Sequence, residues 1–174
     1  MSGESVQAES APGKSAPGKS AQFTHLDSAG AARMVDVAGK PVTARTAVAT
    51  GRVLVSAQVL ALLRGSGMPK GDALAVARIA GIQGAKRTAD LIPLCHPIGI
   101  AGVTVDLDLA EDCVLIRALV RTADRTGVEM EALTAVAVAG LTLIDMVKAV
   151  DPAAVLTDIQ VESKSGGTSG DWTR

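Results

Sequence analysis

Val103-Thr104-Val105-Asp106-Leu107-Asp108-Leu109 alternates apolar and polar side chains with a period of two, the pattern of a strand with one buried and one wet face. After a short polar break, residues 114–120 supply the hairpin partner, with Val114, Ile116 and Val120 on one side and Leu115 and Leu119 on the other. Upstream, β-branched residues recur among small ones (Thr46, Val48, Thr50, Val53, Val55), which predicts a strand over residues 45–55. Ser56 then caps a helix carrying Val59, Leu60, Leu62 and Leu63, which ends at Gly65-Ser66-Gly67. Asp72 caps a second helix that carries Leu74, Ala77, Ile79 and Ile82 towards Lys86-Arg87 and must finish before Pro93. Downstream, Thr126 and Glu129 read as a Thr-x-x-Glu capping box opening a helix through Leu133, Val136, Leu141 and Ile144 to about residue 150, stopped by Pro152. Residues 155–161 give a last strand. Strand, two helices, hairpin, helix, strand is the split βαβ plan: an α+β fold, an antiparallel sheet with its helices on one face. Leu115 and Leu119, on the other face, would be wet in a monomer, so a homo-oligomer is expected to cover them.

The 174 residues suffice for one domain with a core that needs no disulfide or metal staple. That domain is placed at residues 23–174, because residues 1–22 are low in complexity and bury too little apolar surface to offset the entropy of ordering. Within this expected disordered tail, Gly13-Lys14-Ser15-Ala16-Pro17-Gly18-Lys19-Ser20 fits a phosphate-binding loop. The match arises from the repeat Ala-Pro-Gly-Lys-Ser and lacks the strand and helix that would aim the loop's amides. A net charge of -1 with one Phe, one Trp and no Tyr argues against a nucleic-acid partner. The apolar run between Glu131 and Asp145 is shorter than the roughly 20 residues of a membrane span, and a soluble cytoplasmic protein is expected. Cys95 and Cys113 lack metal-ligand spacing, so no metal site is expected.

The reactive side chains are concentrated in a few strings. Lys70 stands just ahead of a helix N-terminus, where unpartnered amides suit a phosphate, although a solvated loop lysine fits as well. His96, restricted by Pro97, would present its imidazole from a loop; a histidine satisfied by backbone is the plainer alternative. Lys86 and Lys164 read at first as a helix-end cation and a tail lysine. Glu129 is accounted for by the capping box. Glu131 and Asp145, fourteen residues apart on one helix, share a face to within roughly 40° but lie about 21 Å apart along the axis. If both serve one site, that site is elongated or draws its ends from two subunits. Asp145 and Lys148, at i and i+3, are either an exposed ion pair or a proton acceptor beside a cation, and the apolar run before Asp145 favours function.

Taken together, Thr24-His25, Met34-Val35-Asp36-Val37, Lys70-Gly71-Asp72, Ala77-Arg78-Ile79-Ala80-Gly81-Ile82, Ala85-Lys86-Arg87-Thr88 and Leu91-Ile92-Pro93-Leu94-Cys95-His96-Pro97 form an ordered series. It continues with Thr126-Gly127-Val128-Glu129-Met130-Glu131-Ala132-Leu133-Thr134-Ala135, Asp145-Met146 and Lys164-Ser165-Gly166-Gly167. The series closely resembles the cyclic pyranopterin monophosphate synthase family, the MoaC proteins of molybdenum-cofactor biosynthesis, over residues 23 to about 172. The resemblance implies a ferredoxin-like fold and a homohexamer, a trimer of dimers with sites at subunit interfaces. It also implies a lyase that converts 3′,8-cyclo-7,8-dihydro-GTP to cyclic pyranopterin monophosphate and pyrophosphate.

By the same resemblance Asp145 is the catalytic acid/base, with Lys148 and Lys70 as partners. Leu94, Cys95, His96, Met130 and Glu131 contact substrate, and Arg45, Lys86 and Lys164 contact its phosphates and nucleotide. No cofactor is implied beyond Mg²⁺ that could accompany the triphosphate. Two positions depart from the family pattern: Ile144, where Tyr is frequent, and Met68-Pro69 before the Lys-Gly-Asp string. The rival reading is a nucleotide-sensing module on the same sheet plan, since fold alone does not decide function. A sensor would not require the Asp145 and Lys148 pair.

Overall fold

The computed structural model describes residues 29–65, 67, 70–168 and 170–174. The low-complexity tail, Thr24-His25 and Met68-Pro69 lie outside them. In chain order the elements are β1 (Thr43–Leu54), α1 (Ala57–Arg64), α2 (Ala73–Lys86), α3 (Thr88–Leu91), β2 (Ile100–Leu109), β3 (Cys113–Asp124), α4 (Glu129–Val147), β4 (Val155–Ser165) and β5 (Trp172–Thr173). The strands form one antiparallel sheet in the order β2-β3-β1-β4-β5. Its first four strands have the split βαβ, ferredoxin-like arrangement, in which each helical crossover joins two parallel strands with a third strand between them: β1 and β2 flank β3, and β3 and β4 flank β1.

The local signals act as their chemistry requires. Ser56 Oγ accepts from Val59 N at 3.4 Å at the start of α1, and Gly65 closes that helix. Asp72 Oδ1 accepts from Ala75 N at 2.9 Å at the start of α2. Alternation in β1 and β3 buries Ala47, Ala49, Val53, Val114, Ile116, Ala118 and Val120 on the helix side. There α4 packs on β1, β3 and β4, and α2 packs on β2 and against α4. The two helices approach closely because Gly81 has no side chain: a Cβ there would stand 2.9 Å from Ala135 O and 3.1 Å from Ala139 Cβ. By length and composition α4 could cross a membrane, but its buried residues, among them Val136, Ala139 and Leu143, are the core of this fold.

Some expectations are corrected. The Thr126 and Glu129 capping box does not form: Val128 is the N-cap, with no side-chain cap bond, and Glu129 is the first helical residue. α4 stops at Val147 rather than near residue 150, with a hydrogen-bonded turn from Val147 O to Val150 N (2.8 Å) and Asp151 N (3.0 Å) completing its end. α3 and β5 were not expected, and β4 runs to Ser165 rather than ending near residue 161. On the open sheet face Leu115 is 42% exposed, whereas Leu119 is half-buried.

Candidate active site

Two groups of reactive side chains lie at opposite ends of α4. At its N-terminal end, the connection between α3 and β2 is tightened by a turn from Ile92 O to Cys95 N (3.0 Å) and bounded by Pro93 and Pro97. It presents Leu94, Cys95 and His96 to a pocket of about 350 Å³ whose other walls include Met130 and Glu131. His96 Nε2 donates to Val35 O at 2.7 Å, tying this loop to the segment before β1. A smaller pocket of about 120 Å³ on the far side of His96 and Glu131 is lined by Lys86.

A basic pocket of about 240 Å³ adjoins the first, sharing Lys40, Thr126, Gly127 and Glu129 with it. Arg45, on β1, is oriented by the backbone: its Nε donates to Asp124 O at 3.0 Å and its Nη2 to Arg125 O at 3.2 Å. Lys164, on β4 and paired in register with Ala47 of β1, places Nζ 3.0 Å from Glu129 Oε1. Glu129 therefore does not serve the helix cap that its spacing suggested; it meets a cation at the mouth of the pocket.

Glu131 is only 4% exposed. Burial pushes its carboxyl up to about 7; the charge of Glu129 adds to the rise and its own backbone N–H opposes it. The Cys95 thiol is also raised, first by burial and then by the Glu131 charge. In its neutral form this thiol is a poor nucleophile. The Cys95 and Glu131 side of this pocket thus offers a weakly charged, hydrogen-bonding wall that suits a heterocycle, beside a cationic pocket that suits phosphates.

At the C-terminal end of α4, Asp145 stands between two ammonium groups. Lys148 Nζ is 2.7 Å from Oδ1, and Lys70 Nζ is 3.3 Å from Oδ2 while donating to Asp145 O at 2.7 Å. Lys148, then Lys70, holds the carboxylate below its ordinary value. The helix N-terminus beside Lys70 is capped by Asp72, and Lys70 turns to Asp145 instead. The apolar run before Asp145 does not shield it: its side chain is 59% exposed, because its helical phase faces away from the core.

Arg45, Leu94, Cys95, His96, Met130, Glu131, Lys86 and Lys164 thus gather at one end of α4, and Lys70, Asp145 and Lys148 at the other, about 21 Å away by helical rise. At the basic end sequence reasoning set Glu129 aside as a helix cap and passed over Lys40 and Arg125, whose Nε donates to Lys40 O at 3.0 Å. Proximity to Met34-Val35-Asp36-Val37 and Thr126-Gly127 was the available signal for the last two.

Comparison with known proteins matches the profile of the MoaC family over residues 34–167, which takes in both ends of α4. A cyclic pyranopterin monophosphate synthase of Streptomyces coelicolor is 71% identical over 153 residues, 88% of this chain and 90% of that protein. One from a Nocardioides species is 69% identical over 88% of this chain and 96% of its own length. Cyclic pyranopterin monophosphate synthase 2 of Mycobacterium tuberculosis is 59% identical over 88% of this chain and 92% of that protein. With the profile covering most of the chain and relatives of this identity aligned nearly end to end, the chain belongs to the MoaC family.

Proposed function

We infer that this chain is a cyclic pyranopterin monophosphate synthase, a phosphorus–oxygen lyase of molybdenum-cofactor biosynthesis. It converts 3′,8-cyclo-7,8-dihydroguanosine 5′-triphosphate to cyclic pyranopterin monophosphate and pyrophosphate, in the cytoplasm. The observation that carries this is the 71% identity to a synthase over 153 residues, together with a family match over residues 34–167 that includes every proposed site residue. Forming a cyclic monophosphate from a triphosphate requires a substrate oxygen to attack the α-phosphorus as pyrophosphate departs. The leaving charge needs cations and the attacking hydroxyl needs a proton acceptor. Arg45, Lys86 and Lys164, joined by Lys40, meet the phosphates; Leu94, Cys95, His96, Met130 and Glu131 hold the ring system. Asp145, Lys70 and Lys148 transfer protons. Any Mg²⁺ enters with the triphosphate rather than on a protein site.

The working enzyme is a homohexamer, a trimer of dimers, in which the N-terminal end of one α4 meets the C-terminal end of a neighbour's. Two features support this: the 21 Å separation, and apolar surface on both faces of the fold, with Leu115 on the sheet and Ile79, Leu91 and Leu141 on the helical side all more than 40% exposed. A closed dihedral assembly needs more than one kind of interface, and each could use one face.

Incubating the purified protein with the cyclised nucleotide should release pyrophosphate; its absence would refute the assignment. Mixing inactive Glu131→Ala protein with inactive Asp145→Asn protein under subunit exchange should restore part of the activity, since some interfaces then carry neither change. No recovery in demonstrated mixed oligomers would confine the site to one chain.

A further inference from the structure

Among the cations of the basic pocket, Arg45 is aimed by the backbone on one side, through Asp124 O and Arg125 O. On its other side stands the loop after β4. Gly166 and Gly167 are both in the left-handed region, at φ 85° and 79°. A side chain on Gly167 would begin on top of Arg45 Nη1 and 2.7 Å from Cζ. Gly170, in the same loop and also left-handed at φ 70°, has nothing among the described residues within 4 Å of the corresponding position. Left-handed backbone alone would explain a glycine at either site. Only at 167 is the vacated volume filled by a guanidinium from the proposed site.

We propose that Gly167 is a positioning residue for phosphate binding, its missing side chain leaving the volume in which Arg45 is held against the two carbonyls and turned to the substrate. The inference rests on the function proposed above. An alanine at 167 meets the far end of a flexible side chain, so the fold yields by letting Arg45 swing out. The guanidinium then gives up its bonds to Asp124 O and Arg125 O, and the pocket loses an aimed, fork-shaped cation.

The test compares wild type, Gly167→Ala, Gly170→Ala, Arg45→Ala and the double variant Arg45→Ala/Gly167→Ala. It measures KM and kcat for the cyclised nucleotide and, by calorimetry, the Kd for inorganic triphosphate. Gly167→Ala should raise both KM and Kd roughly tenfold, the scale of losing one charged hydrogen-bonding group, with kcat changed much less. Gly170→Ala should match wild type. The double variant should be no worse than Arg45→Ala, because the glycine acts only through the arginine. Equal losses at 167 and 170, additive losses in the double variant, unchanged binding in Gly167→Ala, or failure of Gly167→Ala to fold while Gly170→Ala folds would each overturn the proposal. Wild-type protein that releases no pyrophosphate would instead sink the functional reading, and the triphosphate measurements would still decide the role of Gly167.

Discussion

Replacing Glu131 by glutamine should flatten the dependence of stability on pH. The carboxyl lies in the first turn of α4, where the helix dipole favours negative charge, yet only 4% of the residue reaches solvent. Its surroundings include Cys95, His96, Lys86 and the carboxylate of Glu129. Desolvation outweighs the dipole, and the group titrates near 7 instead of at its ordinary 4.5. Below the ordinary value the carboxyl is protonated in both folded and unfolded chains, so its contribution is fully present. As pH rises, the unfolded chain releases a proton that the native state retains, and stability falls until the native group ionises near 7. A shift of this size corresponds to about 3 kcal/mol.

Glutamine has nearly the same shape and never ionises, so the variant should match wild type at pH 4.5 and exceed it by about 3 kcal/mol at pH 8.5. Urea unfolding at both pH values, at one fixed protomer concentration because assembly contributes to apparent stability, measures the difference. The same dependence in both proteins would show that Glu131 is solvated or paired in solution, and that the weakly charged pocket is misdescribed.

Three further outcomes follow from the same structure. Asp145→Asn and Lys70→Ala should each lower kcat, the former by about 10²-fold or more, whereas Lys14→Ala and Lys19→Ala should leave steady-state turnover unchanged; equal effects at the three lysines would revive the tail's loop motif. Removing residues 1–22 should change neither turnover nor the number of protomers per oligomer obtained by light scattering. Gly81→Val should force α2 and α4 apart and lower stability by about 3 kcal/mol, read by thermal melting, because the atoms it meets, Ala135 O and Ala139 Cβ, belong to a packed helix.

The elements set by neighbouring residues were legible in the sequence. Period-two alternation in β2 and β3 and the side-chain caps Ser56 and Asp72 depend on contacts within a few residues. Glu129 misled because a capping box is a local pattern while its real partner, Lys164, is thirty-five residues away on β4. Gly127 makes the change possible: a side chain there would collide with the Glu129 carboxylate. β5 was hidden for the same reason, as two residues paired with Ser163 and Lys164 have no periodicity of their own. The exposure of Asp145 was not legible, because an apolar run fixes how much of a helix is buried but does not decide the phase of the residue that ends it. The site residues carried over from the family resemblance were located in sequence, but their division between the two ends of α4 became a structural fact only with the unbroken helix.

That division bears on what Asp145 can do. A carboxylate near a helix C-terminus faces the negative end of the dipole, which would raise its proton affinity. Lys148 and Lys70 reverse the sign, and Lys70 also binds the main-chain carbonyl of Asp145. The result is a carboxylate that is ionised across the physiological range and a weak base while both ammonium groups remain beside it. In the proposed reaction, then, Asp145 accepts a proton once one of these contacts loosens, as when a lysine turns to a phosphate. Removing Lys148, the stronger influence, should therefore move Asp145 back towards its ordinary carboxylate value more than removing Lys70 does. Carboxylate chemical shifts followed by NMR titration of the two alanine variants would test that order, and the reverse order would place Lys70 as the principal partner.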